Sequence, residues 1–294
     1  MPRGIRGRRA LALAALGGGG VAALTARVVV RRREVNWQPP DRTRQEAFLS
    51  VQTLGDGNRP VVLLHPLSGT AEYFGAAYDE LGGPGPLVVP DLLGFGLSPR
   101  PEQGFGPEAQ VAALARTLGE LGITGPALWV GHGTGGVLAI LAASRHPELV
   151  QGVVAVSPLL YRSRGAARQR LRQLPVARGG GDGSLRQVGG RLADWQRRLT
   201  AGPAFGPEAS TQAVRELIDG LTELAGAMVG LEADGAPVRL VLPANDPVID
   251  AAWLAELSCA HPRVSMALLP FGDHRLPLTH PDGLLVAIDR FRDS

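Results

Sequence analysis

Apolar and polar positions fall into two rhythms along this chain, and their alternation sets its architecture. Short continuous apolar runs occur at Pro60–His65, Leu87–Val89, Pro126–Val130, Val150–Val156, Val238–Leu242 and Val264–Leu269. Such runs suit strands buried on both faces of a parallel sheet. Between them lie segments with helical spacing. Pro107–Leu121 places Val111, Leu114, Leu118 and Leu121 on one face, and Ala71–Leu81 does the same with Tyr73, Phe74, Ala77 and Tyr78. A helix-like run follows Gly136 through Ala143, and further helices are expected at Ala251–Leu257 and Pro281–Phe291. Phe48–Leu54 alternates weakly and ends in Gly55-Asp56-Gly57-Asn58, a turn signal that reads as the end of a hairpin. Strands alternating with helices predict the α/β class, with a mostly parallel, doubly wound sheet and right-handed crossovers.

The rhythm breaks after Ser157-Pro158 and resumes only at Val238. In between, Leu185, Val188, Leu192, Trp195 and Leu199 form one helical stripe. Val214, Leu217, Ile218, Leu221, Leu224 and Met228 form another. Residues 159–232 are therefore expected to be an inserted helical segment. It would divide the core into 35–158 and 233–294. Ten arginines and two aspartates fall within Arg162–Arg198. That charge would attract an anionic ligand or a lipid surface, or simply solvate the polar face of the insertion.

Charge is unevenly spread. All 30 basic residues are arginines, and eight of them lie in residues 1–33, where no acid occurs. The rest of the chain, with 22 Arg against 27 acids, is mildly acidic, which argues against a nucleic-acid surface. Residues 1–34 have a basic start, Arg8-Arg9, and an uncharged run from Ala10 to Ala26. They read as a signal peptide or membrane anchor, implying export or membrane association through residues 1–33, or else as a basic extension. Cys259 is the only cysteine, so no internal disulfide forms. No metal-ligand spacing is present, and no cofactor is expected. Gly131-x-Gly133-x-Gly135-Gly136 follows a strand and opens a helix, but its spacing is wrong for a dinucleotide loop.

That glycine cluster is instead read as a very sharp strand-to-helix turn. Ala127–Gly136 is similar to the nucleophile elbow of the α/β-hydrolase superfamily, with Gly131 and Gly135 at its flanking small positions. His65-Pro66-Leu67-Ser68-Gly69 resembles the family's oxyanion loop, and Asp91–Ser98 resembles the loop that esterase-like members carry. Asn245-Asp246-Pro247-Val248 resembles the segment bearing the catalytic acid, and Gly272-Asp273-His274 the one bearing the catalytic histidine. The resemblance spans residues 44–294 and places the insertion where the family has its helical lid. It implies an ester or small-molecule hydrolase with Asp246 and His274 as acid and base, and with the N–H groups of Thr134 and Leu67 facing an oxyanion.

Two positions depart from the family pattern. Pro66 stands where a glycine is usual and offers no N–H. Gly133 stands where the nucleophile belongs and has no side chain. Four readings follow. His274 and Asp246 activate water or abstract a proton from a small apolar substrate. The chain is an inactive pseudo-hydrolase that binds a small ligand. A substitute such as Ser68, Thr134 or Ser98 attacks. Or the glycine is a change peculiar to this one chain. Single residues also have plainer readings, with His132 serving packing or hydrogen bonding and Asp91 tying down its own loop.

Overall fold

The computed structural model describes residues 38–83, 85–171, 211–224 and 235–292. Eight strands form one sheet: β1 (Thr43–Glu46), β2 (Ser50–Leu54), β3 (Val61–Leu64), β4 (Leu87–Pro90), β5 (Ala127–His132), β6 (Val150–Val156), β7 (Val238–Pro243) and β8 (Val264–Leu269). Their spatial order is β1-β2-β4-β3-β5-β6-β7-β8. The β1–β2 hairpin joins antiparallel to β4, and every other pairing is parallel. The order reverses between β3 and β5. In open α/β sheets that is where a crevice opens beyond the carboxyl ends of the strands.

Side chains of the central strands alternate between two cores. Val62, Leu64, Trp129, Val153, Ala155, Leu240 and Leu242 face α1 (Pro107–Glu120), α2 (Thr134–Arg145) and α5 (Ala251–Ala260). Leu63, Leu128, Val130, Val154, Val156 and Val241 face the opposite layer, which contains α7 (Pro281–Arg292). The doubly wound sheet expected from the continuous apolar runs is therefore present, because helices cover both faces.

The expected helix over Ala71–Leu81 is corrected to two 3-10 segments, Ala71–Tyr73 and Ala76–Gly82. The Thr70 hydroxyl accepts the Glu72 N–H at the start of the first, and Phe74 (ψ 96°) and Gly75 (ψ −171°) then leave the helical region. The buried side is as expected, since Tyr73, Phe74 and Tyr78 are all buried. Spacings of three and four residues suit either helix type, so the pattern alone did not distinguish them.

Between β6 and β7 the described chain forms α3 (Arg164–Leu171) and α4 (Thr211–Glu223). Val214, Leu217 and Leu221 of the second expected stripe are buried, while the first stripe, with Trp195, and Met228 lie outside the described residues. Helix α4 is fastened to the core. Its Glu216 carboxylate accepts the N–H groups of Gly104 (3.0 Å) and Phe105 (2.7 Å). Those bonds hold the Glu216 carboxyl below the usual range. Helix α6 (Leu276–Thr279) is a single turn before α7. Residues 1–34, expected to be a signal or anchor, also lie outside the described residues. Among the described residues no helix is long and apolar enough to cross a membrane.

Candidate active site

The site is assembled at the carboxyl ends of β3, β5, β6, β7 and β8. The turn after β5 can be so tight only because two glycines let the backbones touch. A Cβ on Gly131 would lie 2.2 Å from the Gly135 carbonyl oxygen, and one on Gly135 would lie 2.2 Å from that of Leu64. Gly133, at the apex, has φ 56° and ψ −113°, in the half of the map that side chains disfavour. Its N–H donates to the Val156 carbonyl at 2.9 Å, which locks the apex onto β6. Thr134 opens α2, so its N–H has no acceptor within the helix.

The other half of the site comes from the loops after β7 and β8. His274 Nδ1 lies 2.8 Å from Asp246 Oδ2. The second carboxylate oxygen of Asp246 accepts the Val248 N–H at 2.9 Å. Burial alone would raise the Asp246 pKa, but the hydrogen bond and charge interaction with His274, together with hydrogen bonding from Ser157 and Val248, hold the carboxyl below the usual range. A carboxylate at Nδ1 fixes the proton there and leaves Nε2 as a lone pair. That Nε2 is 3.9 Å from where a Cβ on Gly133 would sit. The residues expected to form a base and its orienter are therefore brought together, and they face the elbow apex.

Several supports carry little sequence signal. Tyr78 donates its hydroxyl to the Pro277 carbonyl (2.9 Å), pinning the chain just after His274. Tyr161 donates to the Val248 carbonyl, and Arg170 donates to those of Pro247 and Ile249, so the insertion braces the Asp246 loop. Much of the arginine charge of the described insertion is similarly used, because Arg162 pairs with Glu256 and Arg164 with Glu223. His132 is buried, stacks on Tyr73 with ring centroids 5.4 Å apart, and lies 4.8 Å from the His274 ring. Burial, and then the neighbouring His274, push its pKa well below 6.5, so it is neutral. Neither of its nitrogens has a well-formed hydrogen bond, so packing is its visible role. Ser157, at the end of β6, is the only non-glycine described residue with positive φ (45°), and it lies close enough to Asp246 to favour the ionised carboxyl.

The oxyanion-loop residues are tied into the fold. His65 bridges the Pro66 carbonyl (2.9 Å) and the Leu92 N–H (3.0 Å), so it organises two loops. Leu67 is buried, and Ser68 is exposed on the Pro66–Gly69 turn and makes no hydrogen bond to His274. Ser98 is corrected from a possible nucleophile to a structural residue: it donates to the Asp91 carbonyl (2.6 Å) and accepts the Ser50 N–H (3.0 Å). Asp91 ties down its own loop, accepting the N–H groups of Ala71 and Leu97 and pairing with Arg44. Among the described residues no cluster of three or more His, Cys, Asp and Glu side chains is placed to hold a metal ion. A cavity of about 280 Å³ between α3 and α4, lined by Arg168, Leu171 and Asp219 among others, shares no lining residue with this site.

The sequence profile of the Alpha/beta hydrolase family matches residues 61–288, a span containing every element of the site. The chain belongs to the alpha/beta hydrolase family. Among curated family members, the 2-(acetamidomethylene)succinate hydrolase of Mesorhizobium japonicum is 27% identical over 267 residues, 84% of this chain and 92% of that one. The pimeloyl-[acyl-carrier protein] methyl ester esterase of Salmonella newport is 37% identical over 109 residues, 36% of this chain and 39% of that one. Among solved hydrolases, E-2-(acetamidomethylene)succinate hydrolase superposes with a TM-score of 0.70 at 23% identity, covering 86% of this chain and 100% of that one. A thermophilic esterase from Thermogutta terrifontis superposes at 0.68 with 18% identity, covering 85% and 98%. These superpositions establish the shared fold.

Proposed function

We propose that this protein hydrolyses a small acyl substrate by direct attack of water, with His274 as general base, Asp246 as its orienter and Gly133 as the place where the attacking atom sits. The observation that carries this reading is the 2.8 Å His274–Asp246 contact, with Nε2 directed at an elbow apex that lacks a side chain. An oriented imidazole contributes typically about 10²–10⁴-fold to such a step. The Thr134 N–H is the oxyanion donor at the helix start, and Leu67 is the second candidate because Pro66 has no N–H. The similarity to a hydrolase of an acetamido compound and to a methyl ester esterase supports an acyl substrate. Ser68 is the weaker candidate for the attacking group, because it is exposed on its turn and makes no hydrogen bond to His274.

The opposing reading, a pseudo-hydrolase that binds a small ligand without turning it over, draws on the same glycine. Removing a serine nucleophile costs about a million-fold in turnover, leaving roughly 10³–10⁴ over water. A helical lid formed by residues 159–232 and a leader in residues 1–34 that exports or anchors the chain belong to either reading. Turnover of p-nitrophenyl esters and of N-acetyl enamides by the full chain, beside His274→Ala, decides between them. Activity that disappears in the variant supports the water mechanism. Activity indistinguishable from the variant's sinks it.

A further inference from the structure

The Asp246 side chain is fully buried, yet it hangs from a surface loop whose adjoining residues Asn245 and Pro247 are exposed. That loop lies between β7 and α5 and belongs to neither, so no ladder or helix fixes it. Within the loop, one carboxylate oxygen accepts the Val248 N–H at 2.9 Å, and the other faces His274 Nδ1 at 2.8 Å. The plane of the carboxylate therefore follows the Val248 peptide, and the His274 ring follows the carboxylate.

The Val248 peptide is held from the insertion. Tyr161 donates its hydroxyl to the Val248 carbonyl at 3.2 Å. Arg170, on α3, reaches the carbonyls on either side, Pro247 at 3.0 Å and Ile249 at 2.7 Å, both from Nη1. Three successive carbonyls after the acid thus accept from two side chains. The Val248 side chain also packs on the insertion's own apolar cluster, which includes Leu171 of α3 and Leu221 of α4. Hydrogen bonds from a charged donor are stronger than neutral ones, and a planar guanidinium fixes direction as well as distance. Fastening α3 to the sheet could use any surface of the core. Here the fastening falls on the three residues that follow Asp246.

We propose that Arg170 is a positioning residue for the candidate base: it clamps the peptides around Val248, and through them sets the Asp246 carboxylate against His274 Nδ1. Tyr161 is the second member of the clamp. The proposal rests on the reading of His274 and Asp246 as base and orienter. It makes the working geometry of that pair depend on a side chain from the inserted segment, which touches neither reacting group.

The test is Arg170→Met in the full chain, which removes the donors but keeps an unbranched apolar stem. The first readout is the far-downfield NMR resonance of the His274 Nδ1 proton, assigned by its loss in His274→Ala. Its exchange with water should be at least about tenfold faster in Arg170→Met, because the bond to Asp246 opens more often. The second readout is turnover of p-nitrophenyl esters. There kcat should fall by about 10–100-fold, the scale of a small misplacement, with KM changed by less than about twofold. Arg164→Met is the control: it breaks the Arg164–Glu223 pair on the same helix without touching the loop, and should leave both readouts unchanged. Thermal melts show which variants are folded, and if Arg170→Met is not, Tyr161→Phe takes its place with the same expected direction. A folded clamp variant whose Nδ1 proton exchanges as in the parent overturns the proposal. So does an equal effect of Arg164→Met, or a parent that shows no such resonance. A faster-exchanging proton without ester turnover in any of the proteins defeats the hydrolytic reading and leaves the clamp standing. Turnover that depends on His274 but is indifferent to Arg170, with an unchanged proton, does the reverse.

Discussion

Gly133→Ser returns one methylene and one hydroxyl to a backbone already bent for them. The new Cβ would sit 3.9 Å from His274 Nε2 and 3.5 Å from Pro66 Cβ, so neither neighbour must move. With a C–O bond of about 1.4 Å, the hydroxyl reaches roughly 2.5–3.2 Å from Nε2, the separation a nucleophile–base pair requires. The cost is conformational. At φ 56° a side chain is expected to destabilise the fold by about 1–3 kcal/mol. For a domain of this size that lowers Tm by roughly 2–12 °C. The gain in ester turnover has a ceiling near a million-fold, the penalty for removing such a serine. If Leu67 fails to replace the N–H lost at Pro66, one oxyanion donor is missing, which takes back about 10²–10³. The expected increase is therefore roughly 10³–10⁶-fold. Initial rates on p-nitrophenyl butyrate measure it, and mass spectrometry should find one fluorophosphonate adduct on the variant and none on the parent. A folded variant that neither labels nor gains more than tenfold would refute the claim that base, orienter and apex are in working register.

Asp246→Asn should lower any base-dependent turnover by about 10⁴, as expected when the orienting carboxylate is lost and the wrong tautomer is favoured. Because the folded pKa of Asp246 is depressed, its stabilising contribution is present above the ordinary carboxylate range and is lost as pH falls through the lower folded value. Melting curves from pH 6 down to pH 2, an interval that brackets about 3.9, should therefore show a smaller acid loss in Asp246→Asn than in the parent. Glu216→Ala removes the shared acceptor of the Gly104 and Phe105 N–H groups, so those two amides should exchange faster with deuterium, and unchanged protection would contradict the anchoring role. Gly135→Ala would force a methyl to within 2.2 Å of the Leu64 carbonyl oxygen, and a loss of at least about 3 kcal/mol in denaturant unfolding is expected. Gly119→Ala, whose added methyl meets nothing within 4 Å on the exposed side of α1, should instead gain about 0.5–1 kcal/mol.

Most strands were legible because a strand buried on both faces needs a nearly continuous apolar run, and Val150–Val156 matches the observed limits of β6; Val264–Leu269 matches those of β8 as well, although on this edge strand only Val264 is buried. Asp246 and His274 were legible as a pair because each follows a late strand, although neither residue type is informative alone. The 3-10 segments were not legible, since the interruption at Phe74 and Gly75 is a backbone event inside an otherwise helical pattern. Nor could the pattern show that Ser98 spends its hydroxyl on Asp91 and Ser50, or that Tyr73 stacks beneath His132. Those contacts join residues 7 to about 60 positions apart in the chain, and local periodicity carries no record of them. Ser157 left one trace, because the strand rhythm stops there, but its left-handed backbone has no compositional signature.

The contacts of Gly131 and Gly135 set the bend at residue 133 from outside that residue. Carbonyls of the neighbouring strand and helix turn hold the apex in its unusual conformation whether or not residue 133 carries anything. Shape and chemistry are thus separately encoded at this turn: the packing of two glycines specifies where a reacting atom would be, and a third position decides whether the chain provides it. An apex built this way is preorganised before any function is chosen. Such an apex would suit a restored hydrolase and a water-using one alike.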